Sequence, residues 1–116
     1  MHTNFKEQAR IFKAFCDENR LQILGMLRSG EKCACVLLEK LEIRQPALSY
    51  HMKILVQSKV VKSRQAGKWT YYSISESGSE YALSLLKELT TPETNILDES
   101  SCSAELCGSS QHKGSV

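Results

Sequence analysis

The spacing of apolar residues changes twice along the chain, and this narrows its fold more than any other feature. Up to Ser58 apolar side chains recur at helical intervals, ending with Leu48, Met52, Leu55 and Val56. Val60 to Arg64 and Trp69 to Ile74 are instead rich in β-branched and aromatic residues with a period of two, and Gln65-Ala66-Gly67-Lys68 lies between them. Helical spacing then returns at Tyr81, Leu85 and Leu89, with Ala82 and Leu86 beside them. These features predict a β-hairpin set among helices, and 116 residues leave room for one domain with a modest core.

The helical part divides into four pieces. Asn4 to Phe15 carries Phe5, Ala9 and Phe12 on one stripe, extended by Cys16. Asp17 caps a second helix with Leu21, Leu24 and Leu27 on one face and Gly30 as its stop. Lys32 to Leu41 reads as a short helix with Val36, Leu37 and Leu41 turned inward. Pro46 sits in the first turn of a fourth helix, Gln45 to Ser58, where its missing N–H costs nothing. After the hairpin, Ser77 and Glu80 form a capping box for the last helix. The fold class is thus mainly α with a small β-hairpin. A domain over residues 1–91 is predicted, followed by a flexible, cysteine-containing tail over residues 92–116 that is rich in Ser, Gly and acids.

Charge is segregated along this plan, although the net charge is only +2. No acid occurs from Ile43 to Ser75, where Arg44, Lys53, Lys59, Lys62, Arg64 and Lys68 fall. From Glu76 to His112, seven acids face only Lys87. A basic block on folded elements is the footprint of a phosphate-binding surface. Two helices joined by a short turn and followed by a basic hairpin are in the order of a winged helix, whose second helix enters the DNA major groove. With Leu48, Met52 and Leu55 inward, the outer face presents Gln45, Ser49, Tyr50 and Lys53. Gln reads adenine, Ser and Tyr reach a phosphate or base edge, and Lys favours phosphate or guanine. Arg64 and Lys68 on the hairpin are expected to grip the backbone or the adjacent minor groove.

The segment Gln45-Pro-Ala-Leu-Ser-Tyr-His-Met-Lys-Ile-Leu resembles the recognition-helix signature of ArsR-family repressors, Ser-x-His-Leu-x-x-Leu after a polar start. Phe12-Lys-Ala-Phe-Cys-Asp-Glu-Asn-Arg-Leu-Gln-Ile-Leu resembles the family's opening, and Arg64-Gln-Ala-Gly-Lys-Trp-Thr-Tyr-Tyr its wing. The resemblance covers residues 5 to 90. It implies a winged-helix homodimer held by its first and last helices, which sits on a palindromic operator and leaves when an effector binds.

The effector question turns on Cys33-Ala-Cys35, which resembles the family's metal box Glu-Leu-Cys-Val-Cys-Asp-Leu-Cys. Soft thiolates select trivalent arsenic or antimony, or thiophilic divalent metals such as cadmium, lead and zinc. Positions two apart lie about 200° around a regular helix, so both sulfurs are expected to meet one ion only if the first turn unwinds. The box is incomplete. Its third Cys is Leu38 here, and the acid after its second Cys is Val36. The remaining ligand then falls to Cys102 and Cys107 in the tail, to Cys16 or to a small thiol such as glutathione. Cys16, on the apolar stripe, is expected to be a buried, inert thiol.

Other functions fit less well. Ser77 to Leu89 contains no His, and the histidines are His2, His51 and His112, which disfavours the final-helix zinc site of the family. His51 is expected to be a structural hydrogen-bonding residue. No Cys precedes Cys16, unlike the family's cadmium and lead sensors, although the C-terminal pair can stand in for the missing thiols. A thiol redox switch on the same scaffold would use Cys33 with Cys35, or Cys102 with Cys107. A thiol enzyme is disfavoured because there is no Cys-x-x-Cys, no βαβ pattern and no His or Asp arranged to activate a Cys. The odd cysteine count and the absence of a signal-peptide layout in Met1 to Phe12 predict free thiols in a reducing cytoplasm.

Overall fold

The computed structural model describes residues 4–93. Its elements in chain order are α1 (Phe5–Lys13), α2 (Glu18–Leu27), β1 (Lys32–Cys33), α3 (Ala34–Leu41), α4 (Gln45–Gln57), β2 (Val61–Ala66), β3 (Trp69–Ile74) and α5 (Glu76–Thr90). The fold is a winged helix-turn-helix, mainly α with a small antiparallel sheet. Beyond residue 93 the expected tail lies outside the described residues, and with it Cys102 and Cys107. Among the described residues no helix is long and apolar enough to cross a membrane.

Local chemistry sets most of the boundaries. Asn4 Oδ1 accepts from the Glu7 N–H at 3.1 Å and starts α1. Glu42 caps the end of α3 in the left-handed region, at φ 57°, and only Glu42, Ile43 and Arg44 separate α3 from α4. Pro46 lies in the first turn of α4, as expected. The hairpin tip is tighter than predicted. Gln65 and Ala66 pair with Thr70 and Trp69, leaving Gly67-Lys68 as a two-residue turn. Gly67 takes φ 64°, the positive angle that a tight hairpin requires at that position.

Three expectations need correction. The capping box at Ser77 does not form. Instead α5 starts at Glu76, and Ser75 Oγ accepts from the Gly78 N–H at 3.1 Å. Leu21 does not face inward. It is 51% exposed, and α2 buries Arg20, Ile23 and Leu27 instead. Lys32 and Cys33 are not helical. They form a third strand on the free edge of β3, giving the sheet order β1-β3-β2 with Lys32 opposite Tyr72 and Cys33 opposite Tyr71.

The main core joins Ala14, Ile23, Leu27, Leu37, Leu48, Met52, Leu55 and Val61, so it ties α4 to the helices before it and to the wing. Ile11, Val60, Ala82 and Leu85 form a smaller cluster that seats α5 on α1. The predicted stripe of α5 therefore splits. Leu85 and Ala82 are buried, whereas Tyr81, Leu83, Leu86 and Leu89 stay exposed.

Candidate functional site

The inner face of α4 is buried at Leu48, His51, Met52, Ile54 and Leu55. Its outer face carries Gln45, Ser49, Tyr50 and Lys53, all exposed. Spacings of four, one and three residues put these side chains on one stripe of a helix. The stripe starts at the N-terminal end of α4, the end that meets base edges when such a helix lies in the major groove.

A buried polar network supports the helix from behind. Arg20, only 5% exposed, directs one terminal nitrogen at His51 Nδ1 at 2.9 Å and donates from Nε to the Lys13 carbonyl at 3.1 Å. A guanidinium can only donate, so Nδ1 accepts and the ring proton sits on Nε2. That nitrogen faces Asp17 Oδ2 at 3.7 Å. His51 thus has the structural role expected of it. Asp17 occupies the N-cap position of α2, yet its side chain makes no capping hydrogen bond there. Arg20 was not singled out in the sequence, although one signal was available: it lies three and seven residues before Ile23 and Leu27, on the face that α2 buries.

Arg20→Ala strips His51 Nδ1 and the Lys13 carbonyl of their donor at once, and is expected to destabilise the fold by about 2–3 kcal/mol. Denaturant unfolding measures this. Adding His51→Ala to that variant is expected to cost less than His51→Ala alone, because the two residues share one network.

On the wing, Arg64 donates from Nε and a terminal nitrogen to the two Glu31 carboxylate oxygens at 2.8 and 2.7 Å. Its guanidinium lies 4.7 Å from the Tyr71 ring centroid. The Arg64 hydrogen bonds hold the Glu31 carboxyl below its ordinary range, and Glu31 raises Arg64 in return. The carboxylate is therefore charged at neutral pH, and the pairing fades only as pH falls through that lowered value. Lys68 stands at the tip, with Nζ 5.5 Å from the Trp69 ring centroid. The two wing cations expected to grip DNA thus differ, because Arg64 already holds a carboxylate.

Cys33 and Cys35 are brought together. Cys33 is the extended N-cap residue of α3, at φ −74° and ψ 148°, and the Cys35 thiol donates to its sulfur at 2.9 Å. The expected unwinding of a helical turn is unnecessary, since pairing with β3 has already drawn Cys33 out of the helix. The Cys35 hydrogen bond pulls the Cys33 thiol below its ordinary value, helped by the amides of Cys35 and Val36, and pushes Cys35 up. Among the described residues no third His, Cys, Asp or Glu completes a metal-binding group with this pair. Cys16, expected to be buried, is exposed and donates to the Phe12 carbonyl at 3.3 Å. It lines an apolar groove with Phe12, Phe15, Leu83 and Leu86, because α1 and α5 leave that face uncovered.

A helix backed by core on one side and polar on the other, followed at once by a basic hairpin, is the architecture of a DNA-binding winged-helix regulator. Residues 17–63 match the family described as bacterial regulatory protein, arsR family. The chain is 42% identical over 74 residues to an arsenical resistance operon repressor of Staphylococcus aureus, a match covering 64% of this chain and 71% of that one. HlyU from Vibrio cholerae superposes with a TM-score of 0.60 and 32% identity, covering 78% of this chain and 98% of that one. The homodimeric winged helix-turn-helix DNA-binding domain of a possible ArsR-family regulator from Mycobacterium bovis superposes with a TM-score of 0.59 and 26% identity, over 73% of this chain and 83% of that one. The chain belongs to the arsR family and is a transcriptional repressor rather than an enzyme.

Proposed function

We propose that the protein represses transcription as a homodimer bound to a palindromic operator, and is released when trivalent arsenic or antimony is ligated by the thiolates of Cys33 and Cys35. Gln45, Ser49, Tyr50 and Lys53 read the major groove, while Lys68 and Arg64 contact the flanking backbone. The observation carrying this reading is the 2.9 Å approach of the two sulfurs at the junction where β1 of the wing sheet, ending at Cys33, runs into α3, which carries Cys35. Two soft donors suit a thiophilic ion, and a trigonal site takes its third thiolate from Cys102 or Cys107. The arsenical repressor similar to this chain supports the choice of metalloid.

The uncovered α1 and α5 faces support the dimer. Phe5 and Leu83 are each 68% exposed, Phe15, Tyr81, Leu86 and Leu89 are exposed to a lesser degree, and Phe15, Leu83 and Leu86 line one apolar groove that a second copy can cover. The homodimeric neighbour from Mycobacterium bovis supports the same assembly. Residues 1–91 form the binding and dimerising unit, and residues 92–116 a tail that carries two further thiols.

Fluorescence anisotropy on an operator duplex selected from random DNA tests the reading. Under reducing conditions arsenite and antimonite are expected to raise the operator Kd by about tenfold or more, a coupling of ordinary allosteric size. Stronger release by cadmium, lead or zinc reassigns the inducer to a divalent soft metal. Release by peroxide alone reassigns the pair to redox sensing.

A further inference from the structure

The wing arginine is connected to the thiol pair through the sheet. Cys33 on β1 and Arg64 on β2 are both directly opposite Tyr71 on the central strand β3. Directly paired residues of antiparallel strands project to the same face. Cys33, Tyr71 and Arg64 therefore form one lateral row. Glu31, two residues before Cys33, closes the row by gripping Arg64 from the thiol side.

This grip leaves Arg64 able to bind. A guanidinium has five N–H donors, and Glu31 takes one from Nε and one from a terminal nitrogen. Among the described residues the donors on the other terminal nitrogen have no partner, and the Arg64 side chain is 57% exposed. Glu31 on one edge and the Tyr71 ring beneath fix the plane of the group, so a phosphate meets an oriented donor edge rather than a mobile side chain.

We propose that Glu31 is a positioning residue: it holds Arg64 in place for an operator phosphate, and it passes the state of the Cys33–Cys35 pair to the wing. This rests on the operator reading above. Ligation of an ion replaces the S–H···S contact between the two sulfurs and so shifts the end of β1, and Glu31, two residues away, moves with it. Arg64 then loses its support and its orientation.

The proposal predicts a sign that simple electrostatics does not. Removing a carboxylate next to DNA should tighten binding by charge alone, whereas losing a positioned arginine should weaken it. Operator affinity is measured for wild type, Glu31→Gln, Arg64→Ala and the double variant, with Lys68→Ala as a reference for the wing. Glu31→Gln is expected to weaken binding about fivefold, and Arg64→Ala to weaken it at least as much while lowering the salt slope by about one. The double variant is expected to bind no worse than Arg64→Ala alone.

Tighter binding by Glu31→Gln, or additive losses in the double variant, overturns the proposal. An unchanged affinity and salt slope in Arg64→Ala, with Lys68→Ala weakened, also overturns it but leaves the operator reading intact. If neither wing variant affects binding, the operator reading of the wing fails too. In the arsenite arm, wild type is expected to be released about tenfold or more and Glu31→Gln less than about threefold. Equal release of both overturns the coupling, and no release of wild type refutes the inducer assignment, while the affinity cycle still decides the role of Glu31.

Discussion

Gly78→Ala is expected to destabilise the protein by about 4 kcal/mol or more and to lower its melting temperature by roughly 15 °C or more. A Cβ built on Gly78 would lie 1.7 Å from the Lys59 carbonyl oxygen and 2.6 Å from its carbon. Both atoms are backbone, so no side-chain rotation relieves the clash. Lys59 cannot easily move either: its φ is 72°, and its N–H donates to the Val56 carbonyl at the end of α4. The first turn of α5 must therefore lift away, breaking the bond from the Ser75 N–H to the Val60 carbonyl and exposing Val60, Ala82 and Leu85. Gly25 provides the control. It lies within α2 with nothing within 4 Å of its Cβ position, and Gly25→Ala is expected to stabilise by about 0.5–1 kcal/mol. Thermal unfolding of both variants checks the contrast, and sedimentation of Gly78→Ala checks whether the α1 and α5 faces still support a dimer.

The second large effect concerns the response rather than the fold. Cys33→Ser and Cys35→Ser are each expected to keep operator affinity within about twofold of wild type while reducing an arsenite effect of about tenfold to near nothing. Serine keeps the shape and a hydrogen-bonding group but is a hard oxygen donor, which does not replace a thiolate on a soft ion. Cys16→Ser is expected to leave release intact, because Cys16 lies in the groove of Phe12, Phe15, Leu83 and Leu86 and not with the pair. Truncation before Ser101 removes both tail thiols and is expected to weaken the response without abolishing it. Normal release by the Cys33→Ser and Cys35→Ser variants would move the sensing site elsewhere.

Much of the fold was legible because it is written in local chemistry. The Asn4 start, the Pro46 turn and the Gly67 tip each depend on residues close in sequence, and the structure keeps all three; Trp69 to Ile74 is a strand as expected, although its burial does not alternate with a period of two. The outer stripe of α4 was legible for the same reason, since burial of Leu48, Met52 and Leu55 dictates where Gln45, Ser49, Tyr50 and Lys53 point. Misread features depended on distant partners. A two-residue strand at Lys32–Cys33 has no periodicity, and only β3, almost forty residues on, makes it a strand. Arg20 belongs to the core because His51 waits for it on another helix. Gly78 looked like part of a cap, whereas its lack of a side chain lets α5 rest on the Lys59 carbonyl. Arg64 looked free for DNA until Glu31 arrived from beside the thiols.

Strand β3 is hydrogen-bonded to the thiol strand on one edge and to the wing strand on the other, so neither edge can be displaced without work against the other. Work of this kind is reciprocal. If, as proposed, an ion at the thiols weakens operator binding by some factor, operator binding weakens the hold of the thiols on the ion by the same factor. On the proposed function, repressor seated on DNA is thus a poorer ligand for the metalloid than repressor free in solution, and the unbound pool fills first. The concentration at which genes are released then depends on how many copies of the repressor are present, as well as on the chemistry of sulfur.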